Sequence, residues 1–193
     1  YQRDYPIDYF AGRGVITVVQ RLMRTGFDNR RNAVVIPWFH ADGTLANVKY
    51  RRIDSKAFWY ERGGTPIREL VYGLDVIYKY RKTTAVLVEG EIDAMYLMSA
   101  GFASIATGGA ENFNAYKAQL IAKSPIEEVV VMGDHDEAGQ RMKREAIELL
   151  SREGLRVKVA GYPFRYGDPN EVGDIRRYVE SARYVKRMSR LFS

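Results

Sequence analysis

Ala85-Val86-Leu87-Val88-Glu89-Gly90-Glu91-Ile92-Asp93-Ala94 runs from four consecutive apolar residues into a carboxylate and a glycine, and then into a second apolar-periodic segment. Such a run bounded by a breaker reads as a strand, and Ile92–Ala100 after it reads as a helix. The same alternation extends on both sides. A helix over Leu74–Lys82 precedes it. Strand Ala103–Ala106, helix Asn114–Ala122, strand Glu127–Met132, helix Ala138–Glu153, strand Arg156–Gly161 and a last helix over Glu171–Met188 follow. Strands alternating with helices imply βαβ crossovers and a mostly parallel sheet flanked by helices.

The first seventy residues are organised differently. Val15, Val18, Val19, Leu22 and Met23 recur near a 3.6 period and predict a helix across Tyr9–Gly26. Ala33–Phe39 reads as a buried strand, His40–Thr44 as a turn around Asp42-Gly43, and Leu45–Ile53 as a returning strand, with Lys56–Tyr60 as a third. Gly63-Gly64-Thr65-Pro66 is the breaker-rich boundary. The expected fold class is therefore α/β (α+β overall), in three parts. A basic amino-terminal subdomain of mixed helix and antiparallel strands covers 1–70, the parallel-sheet domain covers 71–170, and a basic helix covers 171–193.

Composition narrows the chemistry. The chain has 193 residues, 46% of them hydrophobic and 28% charged, enough apolar content for a packed core. It has no cysteine, which excludes disulfides, thiolate catalysis, Fe–S clusters and cysteine-based zinc sites. His40 and His135 are too few for a multi-histidine metal site. No apolar run approaches the ~18 residues a membrane helix needs and no signal-peptide pattern opens the chain, so a soluble intracellular protein is expected. The opening tyrosine suggests an excised domain or a processed product. Charge is uneven: residues 1–82 balance at +7, residues 83–171 at −5 and residues 172–193 at +4, giving +6 overall. Solvated faces explain such runs in many chains. A second explanation is a polyanion held by the basic flanks while carboxylates in the middle hold a divalent cation.

The acidic residues fall where strands end, the side of an open α/β sheet on which ligands gather. Glu89 follows the first strand, with Asp93 in the first turn of the next helix. Asp134 and Asp136 follow Val129-Val130-Val131-Met132, and their i, i+2 spacing points both the same way. Asp168, in Gly167-Asp168-Pro169-Asn170-Glu171, follows the last strand. Carboxylates converging at one edge repel unless a cation sits among them, and hard oxygen donors favour Mg²⁺. Purely structural roles are open as well: Asp93 as a helix-dipole partner, Asp136 as an N-cap, His135 as a spacer. The Gly108-Gly109 doublet reads either as a turn or as bare backbone that admits a phosphate.

Val88-Glu89-Gly90-Glu91-Ile92-Asp93-Ala94, followed by Met132-Gly133-Asp134-His135-Asp136-Glu137-Ala138-Gly139, resembles the paired signature of the TOPRIM domain shared by bacterial primases, type IA and II topoisomerases and some nucleases. The flanks narrow the resemblance to the catalytic domain of DnaG-type primases. Tyr9-Phe10-Ala11-Gly12-Arg13-Gly14-Val15 with Thr25-Gly26-Phe27 is similar to that family's opening. Val35-Ile36-Pro37, Asp42-Gly43 and Val48-Lys49-Tyr50-Arg51 resemble its hairpin. Leu70-Val71-Tyr72-Gly73-Leu74 and Asp168-Pro169-Asn170-Glu171 resemble the segments before and after TOPRIM. His135 departs from the glycine that members often carry between the two aspartates, and Asn170 stands where some carry a second aspartate.

The resemblance implies Mg²⁺-dependent phosphoryl transfer, with Mn²⁺ as an alternative ion and no zinc. Glu89, Asp134 and Asp136 are then catalytic, and the same three with Asp168 and Asp93 are metal ligands. Lys49, Arg51, Arg52 and Lys56, beside Tyr50, Phe58 and Trp59, suit single-stranded DNA or an incoming nucleotide, with Gly108 and Gly109 near phosphate. Implied partners are a single-stranded DNA template, ribonucleoside triphosphates, and a replicative helicase or zinc-binding module on another segment or chain, with no membrane. The implied location is cytoplasmic, in a bacterial nucleoid or phage-infected cell. A TOPRIM nuclease using water as nucleophile and a non-catalytic DNA-binding replication component are the alternatives.

Overall fold

The computed structural model describes residues 1–185 and shows two sheets. Strands β1 (Gly26–Asp28), β2 (Ala33–Phe39), β3 (Leu45–Arg52) and β4 (Phe58–Tyr60) form an antiparallel meander in chain order. Strands β5 (Thr84–Val88), β6 (Ser104–Ala106), β7 (Glu128–Val131), β8 (Arg156–Val159) and β9 (Arg183–Tyr184) form the second sheet in the order β6-β5-β7-β8-β9. The three pairings from β6 to β8 are parallel, and only β9 runs antiparallel to its neighbour. Helices α1 (Asp8–Ala11) and α2 (Thr17–Leu22) precede the meander. Helices α3 (Leu74–Tyr80), α4 (Glu91–Ser99), α5 (Ala115–Ala122), α6 (Glu137–Arg152) and α7 (Ile175–Glu180) surround the parallel sheet.

Alternation along β5 and β7 distributes their apolar side chains between two cores, because successive residues point to opposite faces. Val86, Val88, Val130 and Met132 join Phe10, Val34, Ile36, Trp38 and Met95 in a core shared with the amino-terminal elements. Ala85, Leu87, Val129 and Val131 face Ile77, Ile121, Met142 and Leu150 in the other. Helix α6 buries Met142, Ala146 and Leu150, four residues apart, on one stripe and leaves its charged face in water. Each fully buried aliphatic side chain contributes ~1.5–3 kcal/mol relative to exposure.

Three expectations are corrected. The single helix across Tyr9–Gly26 is two short helices, because Gly14 sits at φ +75°, where the helical ladder cannot continue. The end of that segment is strand β1, whose three residues pair with Ala33–Val35. The carboxy-terminal segment is not one long helix: α7 spans only Ile175–Glu180, and Arg183–Tyr184 turns back to pair with Lys158 and Val159. Lys186–Ser193, including the Met188 end of the expected helix, lies outside the described residues. At one edge of the second sheet β6 takes a two-bond bridge between Tyr72 and Ala106, and at the other the two-residue β9 covers β8 and is itself the edge strand. Among the described residues no helix is long and apolar enough to cross a membrane.

Candidate active site

The carboxyl ends of β5 and β7 open into a cleft of about 470 Å³ whose opposite wall is the antiparallel meander. Glu89, Asp93, Asp134 and Asp168 line the sheet side, while Arg13, Lys49, Arg51 and Phe58 line the other. A larger cavity of about 530 Å³ lies between Gln2, Pro6, Tyr9, Phe27 and Ile53. Its only ionisable carboxylates are Asp4 and Asp8 and it is lined by no cation, so its chemistry is poorer.

Glu89 is held from two directions. Its carbonyl accepts the amides of Gly108 and Gly109 at 2.9 and 3.0 Å. Its Oε1 accepts the Asp134 amide at 3.0 Å, which pins the loop after β7 to the end of β5. That approach requires glycine at 139, since a Cβ there would stand 2.4 Å from Glu89 Oε1 and 2.5 Å from the Asp134 carbonyl oxygen. The Gly108 and Gly109 amides, spent on Glu89, are not free to cradle a phosphate, although both residues line the cleft. Lys117, fully buried below them, donates to the Thr107 carbonyl and so ties this loop to α5; burial pushes its ammonium down to about 7.

The other acidic residues differ in role. Asp93 is buried in the first turn of α4, where its Oδ1 accepts from the Asn170 amide at 3.1 Å and from Asn170 Nδ2 at 2.6 Å. Burial pushes its carboxyl up to about 7, opposed by Asn170 and assisted by Asp168 and Glu89. Asp134 is half-buried with Oδ1 lacking any partner, and burial followed by Glu89, Asp93, Asp168 and Asp136 pushes its carboxyl up to about 9. Glu89 and Asp168 are raised for the same kind of reason, burial first and neighbouring carboxylates next. Asp136 is exposed and caps α6, accepting the Gly139 amide at 2.7 Å. The structural role considered for Asp136 from sequence is thus present, alongside its electrostatic contact with the cluster.

Among the described residues no three acidic or imidazole side chains are already drawn into a closed metal cage. The donor set nevertheless fits a hard divalent ion that keeps several waters: it is all oxygen, one buried Asp134 oxygen is unpartnered, and the carboxyls repel one another. His135 places its Nε2 on the Tyr162 carbonyl at 2.9 Å, and its buried Nδ1 has no hydrogen-bond partner.

The basic wall is only partly the expected one. Arg51 donates Nε to Tyr9 Oη at 2.7 Å, leaving its terminal nitrogens toward the cleft. Lys49 lines the cleft but is buried and paired with Glu91 at 2.9 Å, so its charge is already compensated. Arg52 pairs with Asp54, and Lys56 is exposed on the following turn; the structure brings neither to the cleft. Arg13 lines the cleft, with its guanidinium 3.6 Å above the Tyr9 ring and Nη1 on the Tyr9 carbonyl. Charge pattern alone gives Arg13 no role; Gly12 and Gly14 on either side of it are the local signal that could have singled it out.

A pH dependence follows from the raised carboxyls. A group whose pKa is higher folded than unfolded holds more protons in the folded state, so its contribution to stability falls as pH rises. For Asp134 the window runs from the ordinary 3.8 to about 9. In EDTA, Asp134→Asn is expected to melt higher than the parent by an amount that grows between pH about 5 and pH about 9, reaching ~1–3 kcal/mol. Added divalent cation raises the parent's melting temperature more at the alkaline end and leaves the variant nearly unmoved. A pH-independent gap in thermal melts would refute the titration assigned to Asp134.

Residues 86–173 match the family described as Toprim-like. The chain is 29% identical over 163 residues to the DNA primase of Halalkalibacterium halodurans, covering 79% of this chain and 26% of that protein. It therefore spans about a quarter of the length of that curated relative. Its fold is similar to the DnaG primase catalytic domain bound to ssDNA, with a TM-score of 0.77 at 18% identity over 95% of this chain and 75% of the other. It is also similar to the Aquifex aeolicus primase zinc-binding and RNA polymerase domains, with a TM-score of 0.76 at 23% identity over 92% of this chain and 56% of the other. Residues 86–173 thus match a Toprim-like family within a fold similar to that of primase catalytic cores.

Proposed function

We propose that this chain, with a Toprim-like domain in the fold of primase catalytic cores, is the nucleotidyl-transfer core of a DNA primase and joins ribonucleotides on a single-stranded DNA template. The carrying observation is the opposition, across one cleft, of the Glu89–Asp93–Asp134–Asp168 floor and the Arg13–Arg51 wall. A nucleoside triphosphate and a growing strand are polyanions, which a cationic wall holds while the opposite floor manages charge at the reacting phosphorus.

The reaction is in-line attack of a 3′-hydroxyl oxygen on an α-phosphorus: a P–O bond forms to the hydroxyl oxygen, the bond to the β-phosphate bridge breaks, and pyrophosphate leaves. A bound divalent cation, which we infer to be Mg²⁺ with Mn²⁺ as substitute, supplies charge neutralisation at the phosphate oxygens and lowers the hydroxyl pKa. Asp134 and Asp136 would be its main holders, with Asp168 and Asp93 in support. Glu89 Oε1 is occupied by the Asp134 amide, leaving Oε2 to take the hydroxyl proton. Arg13 and Arg51, both organised by Tyr9, bind phosphate oxygens and set the triphosphate's direction. A helicase and a zinc-binding module are the partners this reading calls for, in a cytoplasmic setting.

The test is incorporation of labelled ribonucleotides on single-stranded DNA with Mg²⁺ or Mn²⁺. De novo oligoribonucleotides of defined length are the expected product. Carboxylate-dependent shortening of the template without synthesis would instead identify a nuclease.

A further inference from the structure

The loop Tyr162–Gly167 plays no part in the mechanism above, yet it is fastened to the loop that carries Asp134 and Asp136. Tyr162 Oη donates to the Gly167 carbonyl at 2.9 Å and to the Gly133 carbonyl at 3.4 Å. The His135 amide reaches the Gly167 carbonyl at 3.4 Å. His135, the residue between the two aspartates, packs its ring 4.2 Å from Tyr162 on one side and 4.4 Å from Phe164 on the other, centroid to centroid.

Phe164 is 84% exposed, more than any other large apolar side chain among the described residues. A single exposed apolar residue ordinarily needs no explanation. This one differs in that its ring is braced by an imidazole whose Nε2 is fixed on a carbonyl, and that it is followed by an exposed cation. Arg165 lies 4.8 Å over the Tyr166 ring and donates to its hydroxyl at 3.1 Å, so aromatic, cation and aromatic follow one another along the loop.

We propose that Phe164, braced by His135, is a stacking platform for an unpaired nucleobase beside the carboxylate cleft, with Arg165 meeting the attached phosphate. A flat aromatic face open to water, next to a guanidinium, is the chemistry that binds a base without reading its edge. Its attachment to the Asp134 loop fixes the distance between the stacked base and the reacting phosphate. The platform rests on the reading that this protein handles nucleotides. Two sources supply the base, the template strand and the incoming ribonucleotide, and the experiment separates them.

The full chain, Phe164→Ala and Phe164→Trp are titrated with short oligothymidylate and, separately, with ATP. Affinity is followed by anisotropy or calorimetry and, in the Trp variant, by indole fluorescence. Loss of one stacked base weakens binding about 5- to 100-fold. Phe164→Ala is expected to lose that factor for oligothymidylate if the base is the template's, or for ATP if it is the incoming one. Phe164→Trp is expected to retain binding and to show quenching by the same ligand. Parent-like binding of both ligands by Phe164→Ala overturns the platform, even where synthesis depends on Glu89. Phe164-dependent binding by a chain that makes no oligoribonucleotide overturns the catalytic reading and leaves the platform standing. Absence of binding by the parent overturns both.

Discussion

Asp134→Asn and Glu89→Gln are each expected to reduce the proposed ribonucleotide joining by ~10²–10⁴-fold, the usual scale for loss of a proton-transfer group or a cation-borne charge term. Single-stranded DNA binding is expected to stay close to the parent's, since neither change touches the Arg13–Arg51 wall. The two losses have different origins. Gln at 89 keeps a side-chain oxygen for the Asp134 amide, so the loop after β7 remains in place while the proton acceptor is gone. Asn at 134 leaves Glu89 intact and removes the carboxyl that burial, and after it the neighbouring carboxylates, push up to about 9. Single-turnover incorporation measured beside DNA affinity separates these outcomes. Synthesis by either variant at more than about a tenth of the parent rate would place the chemistry elsewhere.

Glu91→Ala is expected to cost ~3–5 kcal/mol of folding stability, because removing one partner of a buried ion pair leaves the other charge uncompensated. Glu91 accepts from Lys49 Nζ at 2.9 Å and from Trp38 Nε1 at 3.2 Å, and the paired side chains are only 10% and 4% exposed for Lys49 and Glu91. Removing it also orphans the indole N–H of a fully buried Trp38. Lys49→Met alone destabilises for the reciprocal reason. The double change Glu91→Leu with Lys49→Met removes both charges and is expected to recover most of the loss. Denaturant melts of the parent, Glu91→Leu, Lys49→Met and the double variant complete the cycle, and additive losses would mean that the pair contributes nothing as a pair.

The parallel sheet was legible from sequence because its information is local. Four-residue apolar runs name β5 and β7, and the first polar residue after each run, Glu89 or Asp134, stands at the cleft. What local pattern could not carry was contact between distant segments. The Lys49–Glu91 pair spans 42 residues and the Asp93–Asn170 bonds span 77, and both change what those side chains can do. Lys49 reads as a free cation in a basic run and is a compensated one. Strands β1 and β9, of three and two residues, are too short to show a period and exist only because β2 and β8 present edges to them. The mistaken long helix has a plain cause: the 3.6 period that begins at Val15 and runs through Val19 and Leu22 is extended back to Tyr9, across Gly14, whose positive φ breaks the helix.

The stretch that sequence comparison recognises, residues 86–173, is not the piece that would fold. Its core is completed from outside by Phe10, Val34, Ile36 and Trp38, one edge of its sheet by Tyr72 and the other by Arg183–Tyr184. Cut to those limits, the fragment would present an apolar slab and two open strand edges, a template for self-association rather than a catalyst. The unit of inheritance and the unit of stability have different boundaries here. A shuffling event that moved the acidic signature alone would have to bring a new lid with it.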